Sequence, residues 1–425
     1  MSVVLVGMSH HTAPVEVRER HTLRGEDYAD HSEQLLSGQA LEEVVILATC
    51  NRTELVAIAP EPEAGVAHLR AFLRDGIGDG SLRPEHCYER RGSDAVEHVI
   101  RVAGSLDSMV LGEAQILGQV KQAYRAAVDA RSIGPILQRL FQRAFRAAKR
   151  MRSQTGLGSS SISVARVGVQ LASEVFESFE DKRILLIGAG EMAESALHGL
   201  QDAGASSVVV LNRSLDRAQS LASQIGGVAA PLDRLSDELE MADIALASIQ
   251  VVEPIVSAAE LKRVVPGRHG RPLLIIDLGL PRNVAADVNR LANVYLYDLD
   301  DLEGVAERGM EARRASVAPA EAIVAAEVEQ FERWRARLGV TPTIKDLVER
   351  VESLARAEAQ RRASGGSSEL EAALERATAS IVAKLLHRPL ERLRAEAEEG
   401  GGAYYAEAVR DLFGLDGNPT EESEE

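Results

Sequence analysis

The sequence predicts a multidomain α/β chain: a ferredoxin-like α+β domain, then a Rossmann-type nucleotide domain, then a C-terminal helical dimerisation domain. Three observations predict it. The first ninety residues alternate short apolar runs with helical patterns in the order β-α-β-β-α-β. From residue 182 near-continuous apolar strands alternate with helices, the pattern of a parallel sheet covered on both faces. Residues 306 to 400 are rich in Ala, Glu, Arg and Leu with apolar positions at helical spacing. The expected boundaries are 1–157, 158–305 and 306–425, consistent with roughly three domains at about 150 residues each.

In the first segment "VVLVGMSH" reads as a strand, residues 25 to 38 as a helix, "EEVVILAT" and "ELVAIA" as strands, 62 to 75 as a helix and "CYERR" as a strand. This layout makes "TCNR" the exposed, rigidly held turn between the second and third strands. Helical periodicity then runs from about 93 to 152, interrupted near Gly134-Pro135. The Gly/Ser-rich stretch in "SQTGLGSSSISVARVGVQLA" links to the nucleotide domain, whose strands are "RILLIGAG", "SSVVVLNRS", "IALASI", "RPLLIIDLG" and "VYLYDLD". Beyond it, Ile323, Val324, Val328, Phe331, Trp334 and Leu338 form an apolar stripe that a lone helix cannot bury. A second subunit or intramolecular packing would cover it. The "EESEE" tail reads as disordered.

Composition narrows the function classes. With 45% hydrophobic and 27% charged residues the chain reads as globular, and no apolar run approaches the roughly 20 residues of a membrane span. The start "MSVVLVGMSHH" lacks the features of a secretory leader, so a cytoplasmic location is expected. Two cysteines, Cys50 and Cys87, provide neither a disulfide framework nor a four-cysteine zinc site, and no metal-ligand spacing stands out, His10-His11 alone being too little. The net charge of −17 argues against general nucleic-acid affinity. Against that background "RLFQRAFRAAKRMR" carries Arg139, Arg143, Arg146, Lys149, Arg150 and Arg152 without an acid, either a solvated helix face or a phosphate contact.

"LLIGAGEMAES" supplies G-x-G-x-x-A, with Gly188, Ala189, Gly190, Glu191, Met192 and Ala193 between a strand and a helix. Small residues admit a pyrophosphate to the helix N-terminus, although a tight turn without ligand has the same pattern. The next strand ends in Asn212, Arg213 and Ser214 rather than an acid, which favours a 2′-phosphate and hence NADP, with Asp216 the nearest acid.

Cys50 lies between Thr49 and Asn51-Arg52, and a cation beside a thiol favours thiolate below the free value of about 8.5. With a nicotinamide site this suggests acyl transfer to sulfur and reduction of the thioester; the alternative is a small buried hydrophobe. Cys87 has no polar neighbours and is assigned no role. Ser108, Glu113, Gln115 and Gln119 interrupt apolar, helix-like sequence, as residues lining an amino-acid site or as caps and surface positions.

The stretches "GMSHHTAPVEVRE", "TCNRTE", "LDSMVLGEAQILGQVK", "QTGLGSSSISVA", "GAGEMAE", "LNRS" and "VAKLLHRPLERLR" together resemble the bacterial-type glutamyl-tRNA reductases of tetrapyrrole biosynthesis. The resemblance implies that Cys50 attacks the ester of glutamyl-tRNA(Glu) and that NADPH reduces the thioester to glutamate-1-semialdehyde. It implies that Thr49, Asn51, Arg52, Ser108, Glu113, Ala114, Gln115 and Gln119 hold the glutamyl group, with Arg52 on its side-chain carboxylate, and that His98 acts in proton transfer or orientation. It also implies a V-shaped homodimer held through the C-terminal helices, transfer of the aldehyde to the downstream aminomutase, a mobile nucleotide domain and a tRNA contact at the basic strip. Gln154, Ile249-Gln250, Gly279, Leu280 and Asn283 depart from the family's usual pattern. Two rivals remain: a non-catalytic tRNA-binding dimer, and an NADP alcohol or shikimate-type dehydrogenase.

Overall fold

The structure is a computed structural model describing residues 1–23, 27–158, 163–176, 178–309, 314–364 and 367–416. The Gly/Ser-rich residues 159–162 and the acidic tail expected to be disordered lie outside the described residues. Contacts divide the chain into two compact units, Met1–Glu327 and Val328–Glu425.

The first unit contains two lobes. The N-terminal lobe is built from β1 (Ser2–Ser9), α1 (Val15–Arg18), α2 (Tyr28–Leu36), β2 (Glu43–Ala48), β3 (Arg52–Ala59), α3 (Pro62–Ala71) and β4 (Tyr88–Arg91), followed by α4 (Ser93–Ala103), α5 (Ala114–Asp129) and α6 (Pro135–Gln154). Its antiparallel sheet has the order β2-β3-β1-β4, the ferredoxin-like arrangement expected from the sequence. Val4, Val6, Ile46, Leu55 and Ala57 pack in one core with Leu35, Leu69 and Phe72 of the α2–α3 side. Helices α4, α5 and α6 pack against the strands as well, so every residue of β3 is buried.

Continuous helix from 93 to 134 was expected, but residues 104–113 form a loop between α4 and α5. Gly104 caps α4, and Gly112 has φ +81°, where a Cβ would lie 2.6 Å from the Leu157 carbonyl oxygen. A left-handed residue with no room for a side chain ends the helical path despite its apolar periodicity. Ser108 is therefore a loop residue and Glu113 caps α5, whereas Gln115 and Gln119 lie one turn apart on the helix.

The second lobe comprises α7 (Val164–Val175), β5 (Arg183–Ile187), α8 (Glu191–Asp202), β6 (Ser207–Asn212), α9 (Leu215–Ser223), β7 (Val228–Pro231), α10 (Leu235–Met241), β8 (Ile244–Ala247), α11 (Ala258–Val264), β9 (Leu273–Asp277), β10 (Val294–Tyr297) and α12 (Leu299–Gly309). Its parallel sheet runs β10-β9-β8-β5-β6-β7, the doubly wound order with a switch point between β5 and β8. Separate apolar cores cover the two faces, which explains the unbroken apolar strands.

Helix α13 (Arg314–Ala363) begins before the unit boundary and continues past it, followed by α14 (Ser368–Glu398) and α15 (Gly402–Leu412). In the second unit Val340 packs with Leu393 and Ala397, and Leu347 with Val382 and Leu386. Ile381, Leu385, Tyr404 and Leu412 remain more than half exposed. No described helix is long and apolar enough to cross a membrane.

Candidate functional site

The β2–β3 turn is closed by its own sequence. Thr49 N–H donates to the Arg52 carbonyl (2.8 Å), and the Thr49 hydroxyl accepts the amides of Asn51 (3.2 Å) and Arg52 (3.1 Å). Thr49 thus spends its hydroxyl on the turn. Arg18, almost wholly buried, holds the turn from α1 by donating to the Cys50 carbonyl (2.6 Å) and to Asn51 Oδ1 (3.2 Å). Cys50 is left half-buried at the tip, where it packs against the apolar core of the nucleotide lobe.

Arg52 and Glu54 share one face of β3, and both are essentially fully buried. Oxygen Oε1 of Glu54 receives Arg52 Nη1 (2.6 Å) and the Tyr88 hydroxyl (2.6 Å), with His98 Nε2 at 2.8 Å. Arg52 Nη2 also reaches the backbone oxygen and carboxylate of Asp107, the latter at 3.0 Å. Gly7 makes room for this cluster on β1, since a Cβ there would sit 2.8 Å from the Glu54 side chain. Burial opposes the Glu54 charge, but His98 and Arg52, with the bonds from His98 and Tyr88, hold its carboxyl well below the usual range. His98 accordingly contacts Glu54 and Tyr88 behind Arg52.

Arg52 acts on the thiol in the expected direction but does not decide its ionisation. Burial, with the charge of Glu113 in support, pushes Cys50 up to about 12, outweighing Arg18 and Arg52. Two acids already engage the Arg52 guanidinium, and Asp300 engages that of Arg18. A group raised this far is a thiol near neutral pH. Glu113 is the adjacent carboxyl; burial raises it to about 7 against the Val164 amide and the Arg52 charge.

Cys50 opens on two cavities. One, of about 20 Å³, is bounded by Asn51, Arg52, Ser108, Glu113, Gln115 and Gln119 and has room for about one water. Ser108 Oγ is buried there without a hydrogen-bond partner. The sequence-identified polar residues therefore converge on the thiol; Ala114 lies at the start of α5 beside them. The other cavity, about 310 Å³, sets Cys50, Thr49 and Gln119 opposite Met192, Ser248, Ile249 and Gly279, residues that follow β5, β8 and β9 at the switch point. The two lobes thus share one site.

The nucleotide half fits a dinucleotide. Gly188 has φ +122°, and a Cβ there would lie 2.9 Å from both Ser248 O and the Ile249 side chain. Gly190 has open space at its Cβ position, and no side chain caps the N-terminus of α8, so its amides face outward for a pyrophosphate. Ala189 and Met192 pack on the lobe core, Ala193 is buried in it, and Glu191 and Glu194 occupy the first turn of α8. Asn212 donates to the Ser214 carbonyl (3.1 Å), and exposed Arg213 borders a cavity of about 630 Å³ with no ion pair among the described residues.

Sequence reasoning missed Glu54, Tyr88, Asp107 and Arg18. It also missed the interlobe ion pairs: Arg282 grips Glu19 through Nε (3.0 Å) and Nη2 (2.7 Å) and reaches Glu16 (3.0 Å), while Arg18 pairs with Asp300. Asn283, a departure from the family pattern, accepts the Ile249 amide and donates to the Ile249 carbonyl, both at 2.8 Å. Glu54 was within reach of alternation, lying two residues from Arg52 on one strand.

Family comparisons match residues 6–155 to the glutamyl-tRNAGlu reductase N-terminal domain, 170–305 to shikimate/quinate 5-dehydrogenase and 319–415 to the glutamyl-tRNAGlu reductase dimerisation domain. Glutamyl-tRNA reductase of Syntrophotalea carbinolica is 40% identical over 421 residues, covering 98% of this chain and 95% of that protein. That of Rubrobacter xylanophilus is 41% identical over 420 residues, covering 98% and 97%. Among solved structures, glutamyl-tRNA reductase from Methanopyrus kandleri aligns with a TM-score of 0.51 at 28% identity, covering 98% of this chain and 99% of that one. Full-length similarity of this strength, together with matches to the family's N-terminal and dimerisation domains, establishes that the chain belongs to the glutamyl-tRNA reductase family.

Proposed function

We propose that this protein reduces the glutamyl group of glutamyl-tRNA(Glu) to glutamate-1-semialdehyde, releasing tRNA, in the tetrapyrrole pathway. The observation that carries the reading is the cavity that sets Cys50 of the N-terminal lobe opposite the residues around the nucleotide switch point. The chain acts through three domains, 1–157, 158–305 and 306–425, as a cytoplasmic homodimer held by its C-terminal helices.

Cys50 gives its proton to a base, Glu113 being the neighbouring candidate, and the sulfur attacks the ester carbonyl carbon. The ester C–O bond breaks, the tRNA 3′-terminal hydroxyl leaves with a proton, and glutamate remains as a thioester. Gly188, Gly190 and the amides of α8 would hold NADPH, with Arg213 and Ser214 at its 2′-phosphate, and the bound cofactor would supply the hydride that reduces this thioester. Collapse of the tetrahedral carbon then expels the thiolate and leaves the aldehyde.

Ser108, Gln115 and Gln119 contact the glutamyl group, and Asn51 and Arg52 border it. His98 orients Arg52 through Glu54, a positioning role in place of direct proton transfer. Arg146 and Lys149 supply the exposed tRNA charge, because Arg143 and Arg150 already pair with Glu327. The aldehyde passes to an aminomutase.

The test follows NADPH oxidation and semialdehyde formation from charged glutamyl-tRNA, with Cys50→Ala as the comparison. Loss of both signals with the variant, and trapping of a glutamyl adduct on the wild-type thiol without NADPH, is expected. Equal turnover by both proteins removes Cys50 as nucleophile.

A further inference from the structure

The turn after β1 carries two adjacent histidines, and α12 brings Glu303 against them from the nucleotide lobe. His10 Nε2 lies 3.7 Å and His11 Nδ1 3.5 Å from the same oxygen, Glu303 Oε1. The three donor atoms all fall within 4.8 Å of one another. The 3.7 Å separation is too long for a hydrogen bond, and 3.5 Å is at its outer limit. Both are close to the edge of a tetrahedron whose centre is a metal about 2.0–2.1 Å from each ligand, which is about 3.3–3.5 Å.

A second observation points the same way. The His10 side chain is fully shielded from solvent, yet neither ring nitrogen reaches a partner at hydrogen-bond geometry; the Asn51 backbone is near enough only to bias the ring electrostatically. A buried polar atom left unpaired is destabilising, so histidine is disfavoured here unless something engages the ring. The surrounding frame is fixed. The His10 amide donates to the Asn51 carbonyl (2.9 Å), and Thr12 and Ala13 amides close the turn on Ser9 O (2.9 and 2.8 Å). The Thr12 hydroxyl anchors to His86 O (2.8 Å). Across the gap, Leu302 and Val305 root α12 in the nucleotide core, and Asp300 accepts the Val15 amide (2.8 Å). Two buried cations bear on His10, and both are already paired: Arg52 with Glu54 and Asp107, and Arg18 with Asp300.

We propose that His10, His11 and Glu303 form a divalent transition-metal site of the zinc class that ties the thiol-bearing lobe to the nucleotide lobe. Two imidazoles and one carboxylate are a borderline-soft set suited to Zn²⁺ or Co²⁺. His11, half exposed, leaves the fourth position open to water. The site lies outside the glutamyl and dinucleotide residues, so it would act by holding the lobes together.

The test is titration of chelator-stripped full-length protein with Co²⁺, read by its visible d–d absorption, followed by displacement with Zn²⁺. One equivalent per chain is expected. Its Kd should rise at least tenfold in His11→Ala and in Glu303→Gln, while remaining unchanged in the Cys50→Ser/Cys87→Ser double variant. Circular dichroism checks that the variants fold; His11 and Glu303 are both partly exposed, so the fold should persist. Absence of stoichiometric binding, binding indifferent to both His11→Ala and Glu303→Gln, or binding lost with the thiols would overturn the proposal.

Discussion

Replacing Glu54 with Gln tests whether the buried carboxylate organises the thiol-bearing lobe. Three donors converge on its Oε1: Arg52, Tyr88 and His98. Glutamine keeps an acceptor oxygen but removes the charge. A hydrogen bond to a charged group contributes about 1.5–3 kcal/mol and a neutral one about 1, so three weakened bonds cost about 3 kcal/mol. Asp107 still pairs with Arg52, which keeps the loss from reaching that of a wholly uncompensated buried charge. Hydrogen exchange of the β3 amides reads the loss directly, because about 1.4 kcal/mol is tenfold; protection should fall about 100-fold at pH 7.5.

The pH dependence follows from the lowered pKa. The Glu54 contribution is fully present above its unfolded value of 4.5 and is lost as pH falls toward its much lower folded value. One unit below 4.5 the gap between wild type and variant narrows by about 1.4 kcal/mol, or about tenfold in protection. A change of less than threefold at pH 7.5, or a gap that stays constant on acidification, would refute the reasoning.

Three further substitutions probe the other parts of the site. Glu113→Gln removes a charge that raises the Cys50 pKa, so the pH profile of iodoacetamide alkylation should move to lower pH, with the rate at pH 8 rising about three- to tenfold; an unmoved profile would exclude coupling across the small cavity. Arg213→Ala should lower kcat/KM for NADPH about 10- to 100-fold and leave that for NADH unchanged, which steady-state kinetics with both cofactors would reveal. Asn283→Asp loses the donor to Ile249 O and turns a carboxylate toward that carbonyl, so the nucleotide lobe should lose roughly 2–4 kcal/mol by calorimetry and KM for NADPH should rise about tenfold.

What the sequence revealed depended on the range over which the causes act. The succession of strands and helices in both sheets was legible from local alternation, except for the short edge strand β7 (Val228–Pro231), which was missed because its four residues carry too little apolar pattern. The loop at 104–113 was missed because Met109, Val110 and Leu111 continue an apolar pattern; Gly104 and Gly112 carried the contrary signal. Cys50, Ser108, Glu113, Gln115 and Gln119 were singled out as residue types unusual for their surroundings, and they meet at one cavity. The ionisation of the thiol was read wrongly because burial and the Glu113 charge, which raise it, come from parts of the chain distant from the turn, and they outweigh Arg52. The Arg52 partner Asp107 belongs to a distant loop, and no periodicity connects the two. The same holds for Arg282 with Glu16 and Glu19, and for Asn283 with Ile249.

On the proposed reaction, the two cavities at Cys50 distinguish its two chemical steps. A space of about 20 Å³ does not admit a glutamyl group, so acylation requires the residues around Ser108 and Glu113 to part. The unpaired Ser108 hydroxyl and the raised Glu113 carboxyl are both relieved when substrate supplies a polar partner, which directs binding energy toward that opening. The larger cavity has the opposite character: it already joins the thiol to Ser248, Ile249 and Gly279 across the lobes. Ion pairs at Arg18 and Arg282 hold that junction together with Met109 and Val110, which are buried in the nucleotide-lobe core; the ion pairs can exchange for water when lobes separate, whereas this small apolar contact has to be exposed. The arrangement therefore suits reduction of a thioester already formed, with loading of the thiol belonging to a more open one.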